Sequence, residues 1–212
     1  TIAGFVRLIE HRLKRDNSDF RVRKLCHDIG MKLGLTSVEM TELRTAALMK
    51  DIGFLLIPEA LLLKEKALTK PERDKVQKHV AHSLRIAQYT PQPPRILEAV
   101  EKHHERMDGS GYPYGIKGER IPLFSRIIGA CDTFTALTSD RPYRAALDNE
   151  NALSVMKKES RLFDPEILAL LFEIFGQEVV RRQQPGDYLS DSELYPDDTL
   201  APMKKPRGQR HY

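Results

Sequence analysis

The 212-residue chain carries 34 Lys and Arg against 30 Asp and Glu, a formal net charge of +4, with 41% apolar and 30% charged residues. This suits one packed domain with or without appendages and argues against a dedicated nucleic-acid binder, which needs a clustered basic face. No apolar run reaches the roughly 18 to 20 residues that span a bilayer, because LMKDIGFLLIPEALLLK is interrupted by Lys50, Asp51, Pro58 and Glu59.

Apolar positions recur at three- and four-residue steps over 1–15, 19–33, 37–50, 72–88, 94–104, 122–138, 149–158 and 165–181, so an all-α fold is expected. The first stretch starts at Thr1 rather than Met, places Ile2, Phe5, Val6, Ile9 and Leu13 on one face and has no signal-peptide pattern. It reads as a connecting helix, residues 1–17, from an upstream module. Gly34 ends the next helix, Thr36 or Ser37 caps the third, and Thr69-Lys70-Pro71-Glu72 forms an N-cap with its Glu three residues on. Pro91, Pro93 and Pro94 mark an interhelical loop. Cys26 and Cys131 lie in apolar stretches without CxxC spacing, which predicts free thiols in a reducing compartment.

The segment ERMDGSGYPYGIKGERIP, Glu105 to Pro122, is irregular because its Asp-Gly, Ser-Gly and Tyr-Pro pairs forbid a continuous helix or strand. Long loops in compact domains tend to be functional. Beyond residue 182 the composition turns polar: Gly186 to Tyr212 holds five acidic residues, then four basic ones, with three prolines. Residues 183–212 read as a solvated tail.

Candidate chemistry lies in a few polar residues. His103 and His104 end a predicted helix just before the Gly-rich loop, where two imidazoles can converge on one cleft or simply sit half-exposed. His79 lies on the predicted helix 72–88 and Asp51 on 39–52. Asp132 lies in GACDTF among Ile127, Ile128, Ala130 and Phe134. An ionised Asp there costs several kcal/mol unless a metal, a hydrogen bond or a Lys or Arg partner receives it. Asp51, His79, His103, His104 and Asp132 together make an N/O donor set suited to Mn, Fe, Ni or Zn. In TSDRPYRAA, Ser139 or Asp140 reads as a helix cap with Pro142 in the first turn, leaving Arg141 and Arg144 on one face. Such a pair either grips a phosphate at a helix N-terminus or forms ordinary surface ion pairs with Asp140 or Asp148.

The order KDIG, KH, HHERMDGSGYP and GACDTFTALTSDRPYR, from about Ser18 to Leu171, resembles the HD-GYP family of bacterial HD-superfamily domains associated with cyclic di-GMP hydrolysis. The resemblance implies an all-helical bundle with a Gly-rich GYP loop over 18–182. It also implies two or three iron- or manganese-type metals, with Asp51, His79, His103, His104 and Asp132 at ligand positions. Arg141 and Arg144 fall at phosphate contacts. Asp108, Gly109, Gly111, Tyr112 and Pro113 belong to the loop, which with Tyr114 is expected to be exposed and, in the family, is implicated in contacts with GGDEF-domain proteins.

Five positions depart from the family pattern. The first His of H-x-x-R-V falls on Ser18, the His of the HD pair on Lys50, and the HDIGK lysine on Phe54. The acidic ligand of trimetal members falls on Lys14, and the Asp after the last metal Asp on Thr135. A protonated Lys repels a metal rather than binding it. The expectation is therefore a degenerate, non-hydrolysing domain without cofactor. In it, Lys50 and Lys14 pair with Asp51 and Asp132 in an ion-pair network that replaces the metals. Such a domain regulates cyclic di-GMP signalling in the bacterial cytoplasm through nucleotide binding or GYP-loop contacts. Losing one charged phosphate contact at position 54 weakens nucleotide binding by roughly ten- to a hundredfold. The alternatives are a cyclic di-GMP phosphodiesterase with a reduced metal centre holding Fe or Mn and using Asp51, and a dimerisation or linker domain of a larger sensor or receiver protein.

Overall fold

A computed structural model describes residues 2–12, 18–64, 66–140 and 145–181. The helices are α1 (Ile2–Arg12), α2 (Ser18–Lys32), α3 (Ser37–Met49), α4 (Glu59–Leu62), α5 (Lys70–Gln77), α6 (His79–Ala87), α7 (Pro94–Lys102), α8 (Leu123–Leu137), α9 (Asn149–Lys158) and α10 (Pro165–Arg181). Short 3₁₀ turns cover Ile52–Leu56, Gly118–Arg120 and Ser160–Leu162. The described residues contain no strand, as the helical periodicity predicts, and no helix among them is long and apolar enough to cross a membrane.

One core joins α2, α3, α7 and α8 through Val22, Leu25, Ile29, Leu43, Met49, Ile96, Val100, Ile127, Ile128 and Phe134, and α9 and α10 add Met156, Ile167 and Leu171. Each such side chain contributes about 1.5–3 kcal/mol of burial free energy. Cys26 and Cys131 are free and buried in the same core. The expected caps form: Thr36 and Glu39 make a reciprocal capping box on α3, and Thr69 and Glu72 make one on α5.

Two local expectations change. The predicted helix 72–88 breaks at Lys78, because the ring Nδ1 of His79 turns back to the Val76 carbonyl at 2.9 Å and the backbone tightens there. His79 thus opens α6 instead of sitting mid-helix. Asp51 lies outside α3, with φ −107° and ψ 3°, at the entry to the 3₁₀ turn. The first turn expected after Ser139 or Asp140 falls on 141–144, outside the described residues; Asp140 accepts the Ala146 N–H at 2.9 Å, and α9 is capped by Asp148, which accepts the Asn151 N–H at 2.8 Å. Arg141, Arg144, Lys14 and the 183–212 tail lie outside the described residues.

The 3₁₀ turn after Asp51 packs directly on α6 because residue 53 has no side chain. A Cβ there would stand 2.1 Å from the His79 carbonyl oxygen and 2.5 Å from the Ser83 nitrogen. In the space left, the Gly53 N–H donates to Ser83 Oγ at 2.9 Å. On its other side the turn is held by α1. Arg12 donates to the carbonyls of Phe54, Leu55 and Ile57 at 3.4, 3.1 and 2.9 Å and pairs with Glu59 at 3.3 Å. Glu10 of α1 accepts the Asp19 N–H at 2.7 Å, satisfying one of the orphan donors at the start of α2. Val6 and Ile9 are buried, whereas Phe5, assigned to the same face from sequence, is exposed.

These contacts set two expectations for chemical denaturation. Arg12→Ala removes charge-assisted bonds to three carbonyls and should cost about 1.5–3 kcal/mol, while Glu59→Ala, which removes only an exposed partner, should stay within about 1 kcal/mol. Gly53→Ala should cost about 3 kcal/mol or more, because the opposing atoms are backbone and cannot swing aside. A Gly53→Ala protein of unchanged stability would mean that the turn and α6 are not in register.

Candidate metal centre

Four backbone segments deliver polar side chains to one spot. The end of α3 brings Lys50 and Asp51, the first residue of α6 is His79, the C-cap of α7 is His103 followed by His104, and the middle of α8 carries Asp132. His79 and His103 are buried, at 1% and 0% exposure. Each spends its Nδ1 proton on a carbonyl three residues back, His79 on Val76 at 2.9 Å and His103 on Val100 at 2.8 Å. A carbonyl oxygen only accepts, so in the neutral rings Nε2 carries the lone pair.

Those Nε2 atoms face Asp51 Oδ1 at 3.4 Å from His79 and 3.7 Å from His103, and His104 Nε2 lies 3.2 Å from that of His79. The four donor atoms of Asp51, His79, His103 and His104 lie within 4.8 Å of one another. Buried His103 Nε2 has no hydrogen-bond partner. Lone pairs aimed at a carboxylate oxygen repel it unless a proton or cation lies between them. An outer-shell carbonyl on each buried imidazole is the support that metal-ligating histidines carry. The donor set therefore fits a borderline divalent cation. Burial holds the His103 and His104 pKa values below the ordinary range, His104 well below it with help from the neighbouring imidazoles. Stacked rings brace two of these imidazoles: Phe54 on His79, with centroids 4.1 Å apart and planes 10° apart, and Tyr112 on His104, at 4.7 Å and 22°.

Asp132 sits differently from its expected place among the ligands. It lies outside the four-residue group, and its Oδ1 accepts from Lys50 Nζ at 2.8 Å. Lys50, 3% exposed, also donates to Asp51 Oδ2. The Lys partner allowed for Asp132 from burial logic is thus the observed one. Burial alone would strip the charge from each of these groups. Against it, Asp132 and Asp51 hold the ammonium above the ordinary lysine range, and Lys50 in turn holds both carboxyls below theirs, Asp51 well below, with help from His103 and His79. The expected ion-pair network exists around Lys50, but it leaves the imidazole nitrogens and Asp51 Oδ1 directed at one another.

The loop after His104 folds over the centre. Glu105, buried at 4% exposure, accepts the N–H groups of Tyr114 at 2.7 Å and Ile116 at 3.1 Å. Gly111 lies against the backbone of 104–106, where a Cβ would meet the His104 carbonyl at 2.5 Å. Asp108 accepts the Ser110 N–H at 2.9 Å, next to Gly109. Pro113 and Tyr114 are exposed as expected; Tyr112 is not, because its ring is spent on His104 and is half-buried. Of the replaced positions, Ser18, Lys50 and Thr135 line one cleft beside Asp51 and Asp132, and Phe54 stands on the imidazole side. Glu105 and the stacking role of Phe54 escaped the sequence reading. The available signal for Glu105 was an acid beside a glycine-rich segment whose backbone N–H groups need acceptors.

The profile of the HD domain family matches residues 6–167. The chain is 39% identical over 145 residues to 3'3'-cGAMP-specific phosphodiesterase 3 of Vibrio cholerae, covering 68% of this chain and 31% of that protein. It is 34% identical over 201 residues to the cyclic di-GMP phosphodiesterase response regulator RpfG of Xanthomonas campestris, covering 88% and 52%. The chain thus spans about half or less of these relatives' length. Among solved structures it superposes on a cyclic GMP-AMP specific phosphodiesterase of V. cholerae with TM-score 0.58, 21% identity and coverage of 80% and 46%. On Bd1817, an HDG"Y"P protein of Bdellovibrio bacteriovorus, the values are 0.62, 16%, 82% and 61%. The fold is shared with both, and the match over 6–167 makes the chain a member of the HD domain family.

Proposed function

We propose that this chain is a metal-dependent phosphodiesterase domain for cyclic dinucleotides with a reduced metal centre held by Asp51, His79, His103 and His104. The observation that carries the reading is the convergence of one donor atom each from His79, His103, His104 and Asp51 within 4.8 Å of one another, with two Nδ1 protons already committed to backbone carbonyls. A divalent metal such as Fe or Mn supplies Lewis acidity, which makes water nucleophilic near neutral pH and stabilises charge on a phosphodiester oxygen. The chain's own residues do the rest. Phe54 and Tyr112 hold the imidazole planes, Glu105 closes the loop over them, and Arg141 and Arg144, outside the described residues, are proposed as phosphate contacts. The names of the relatives point to cyclic di-GMP or 3'3'-cGAMP as substrate.

A second reading has its own support. The Lys50 ammonium against Asp51 and Asp132, with Ser18 and Phe54 at positions expected to help ligand and substrate, favours a domain that binds nucleotide or a partner such as a GGDEF-domain protein without turnover. Its contact surface would be Pro113 and Tyr114 rather than Tyr112. An upstream sensor or receiver module and a homodimer also remain proposals for the longer protein.

The two readings separate in one assay. Chelator-stripped protein reloaded with Mn²⁺ or Fe²⁺ is expected to hydrolyse one of the two cyclic dinucleotides slowly, with activity lost on chelation. His103→Ala should weaken metal binding beyond the roughly 10- to 100-fold typical of losing an outer-shell partner. Stoichiometric metal with nucleotide binding and no product would establish the second reading instead.

A further inference from the structure

Asp51 divides its two oxygens between different neighbours. Oδ1 faces the imidazoles of His79 and His103, and Oδ2 faces the Lys50 ammonium, which also holds Asp132 Oδ1 at 2.8 Å. A carboxylate used in this way bridges two positions for positive charge, one built from nitrogen donors and one already filled by a side chain. Lys50 is 3% exposed, so its charge cannot leave to solvent. Among the described residues, the other polar groups lining its cleft are the hydroxyls of Ser18 and Thr135 and the carboxylates of Glu10 and Asp19, with no imidazole.

We infer that Lys50 is a built-in second cation: it limits the centre to one metal ion and withdraws Asp132 from the ligand set. This rests on the metal-binding reading above, but it concerns the number of ions and the role of two residues rather than the reaction. With the ammonium already lying between the two carboxylates, a divalent ion brought to that side would meet a like charge at close range. Removing the ammonium reverses both conditions, since it frees Asp51 Oδ2 and Asp132 Oδ1 toward the same space.

The test is the metal-to-protein ratio, measured by elemental analysis and by calorimetric titration with Mn²⁺ on the full chain. The unmodified protein is expected to bind one equivalent and Lys50→Ala two, the second more weakly. Lys50→Arg, which keeps the charge, should remain at one. Asp132→Asn gives a check that does not require the Lys50 variants to fold. It should still bind one equivalent, because Asp132 serves Lys50 and not the metal.

Two equivalents in the unmodified protein would overturn the inference. So would one equivalent in folded Lys50→Ala, or loss of the metal on Asp132→Asn. If the unmodified protein binds none while Lys50→Ala binds metal, Lys50 stands as the excluding cation and the metal-dependent reading of the native chain falls. If neither binds, both fall.

Discussion

The site depends on how one carboxylate is shared. Asp51 presents Oδ2 to an ammonium and Oδ1 to imidazole nitrogens, and the other polar residues of the centre are placed with respect to it. Unpaired burial of an Asp, a Lys or a charged His would be prohibitive at this depth, since isolated charges cost several kcal/mol even after relaxation. The arrangement tolerates burial because Lys50 compensates two acids at once and burial holds the His103 and His104 pKa values below the ordinary range. That balance, rather than net stabilisation, is what a buried ion pair secures: removing one partner leaves the other stranded.

Such a carboxylate needs a backbone that holds it in position. Asp51 lies just beyond α3, in a turn compressed between α6 and α1. Gly53 permits the contact with α6, and Arg12 ties the carbonyls that follow to α1. The same contact sets His79, whose ring closes on Val76 and whose face is covered by Phe54. α1 therefore belongs physically to the site's scaffold. Its Glu10 caps α2 and its Val6 and Ile9 form part of the cleft wall.

The glycine-rich loop works in a similar way. Its backbone N–H groups, which no helix or strand can satisfy, are received by the buried Glu105 carboxylate. That bonding returns the chain over His104, where Tyr112 stacks. A loop read as an exposed contact surface is thus divided, its tyrosine at 112 serving the centre and Pro113 and Tyr114 facing outward.

Much of this was legible in the sequence, for physical reasons. Helical periodicity and capping residues are local properties, so the all-α class, α3 with Thr36 and α5 with Thr69 could be read directly. Asp132 was legible because a carboxylate in an apolar helix requires a partner, and Asp51, His79, His103 and His104 because they complete an N/O donor set at the ligand positions that the family resemblance implies. Which partner each one takes is a question of distance across the chain. Only the tertiary structure decided that Asp132 pairs with Lys50 82 positions away while the other four converge. Asp51's place beyond α3 likewise goes with the packing of its turn on α6, 30 positions further along the chain, which overrides local propensity. The sequence by itself determined the helices and the inventory of charges and donors; packing decided which donors share a cavity, because a side chain's partner is set by the fold around it and not by its neighbours along the chain.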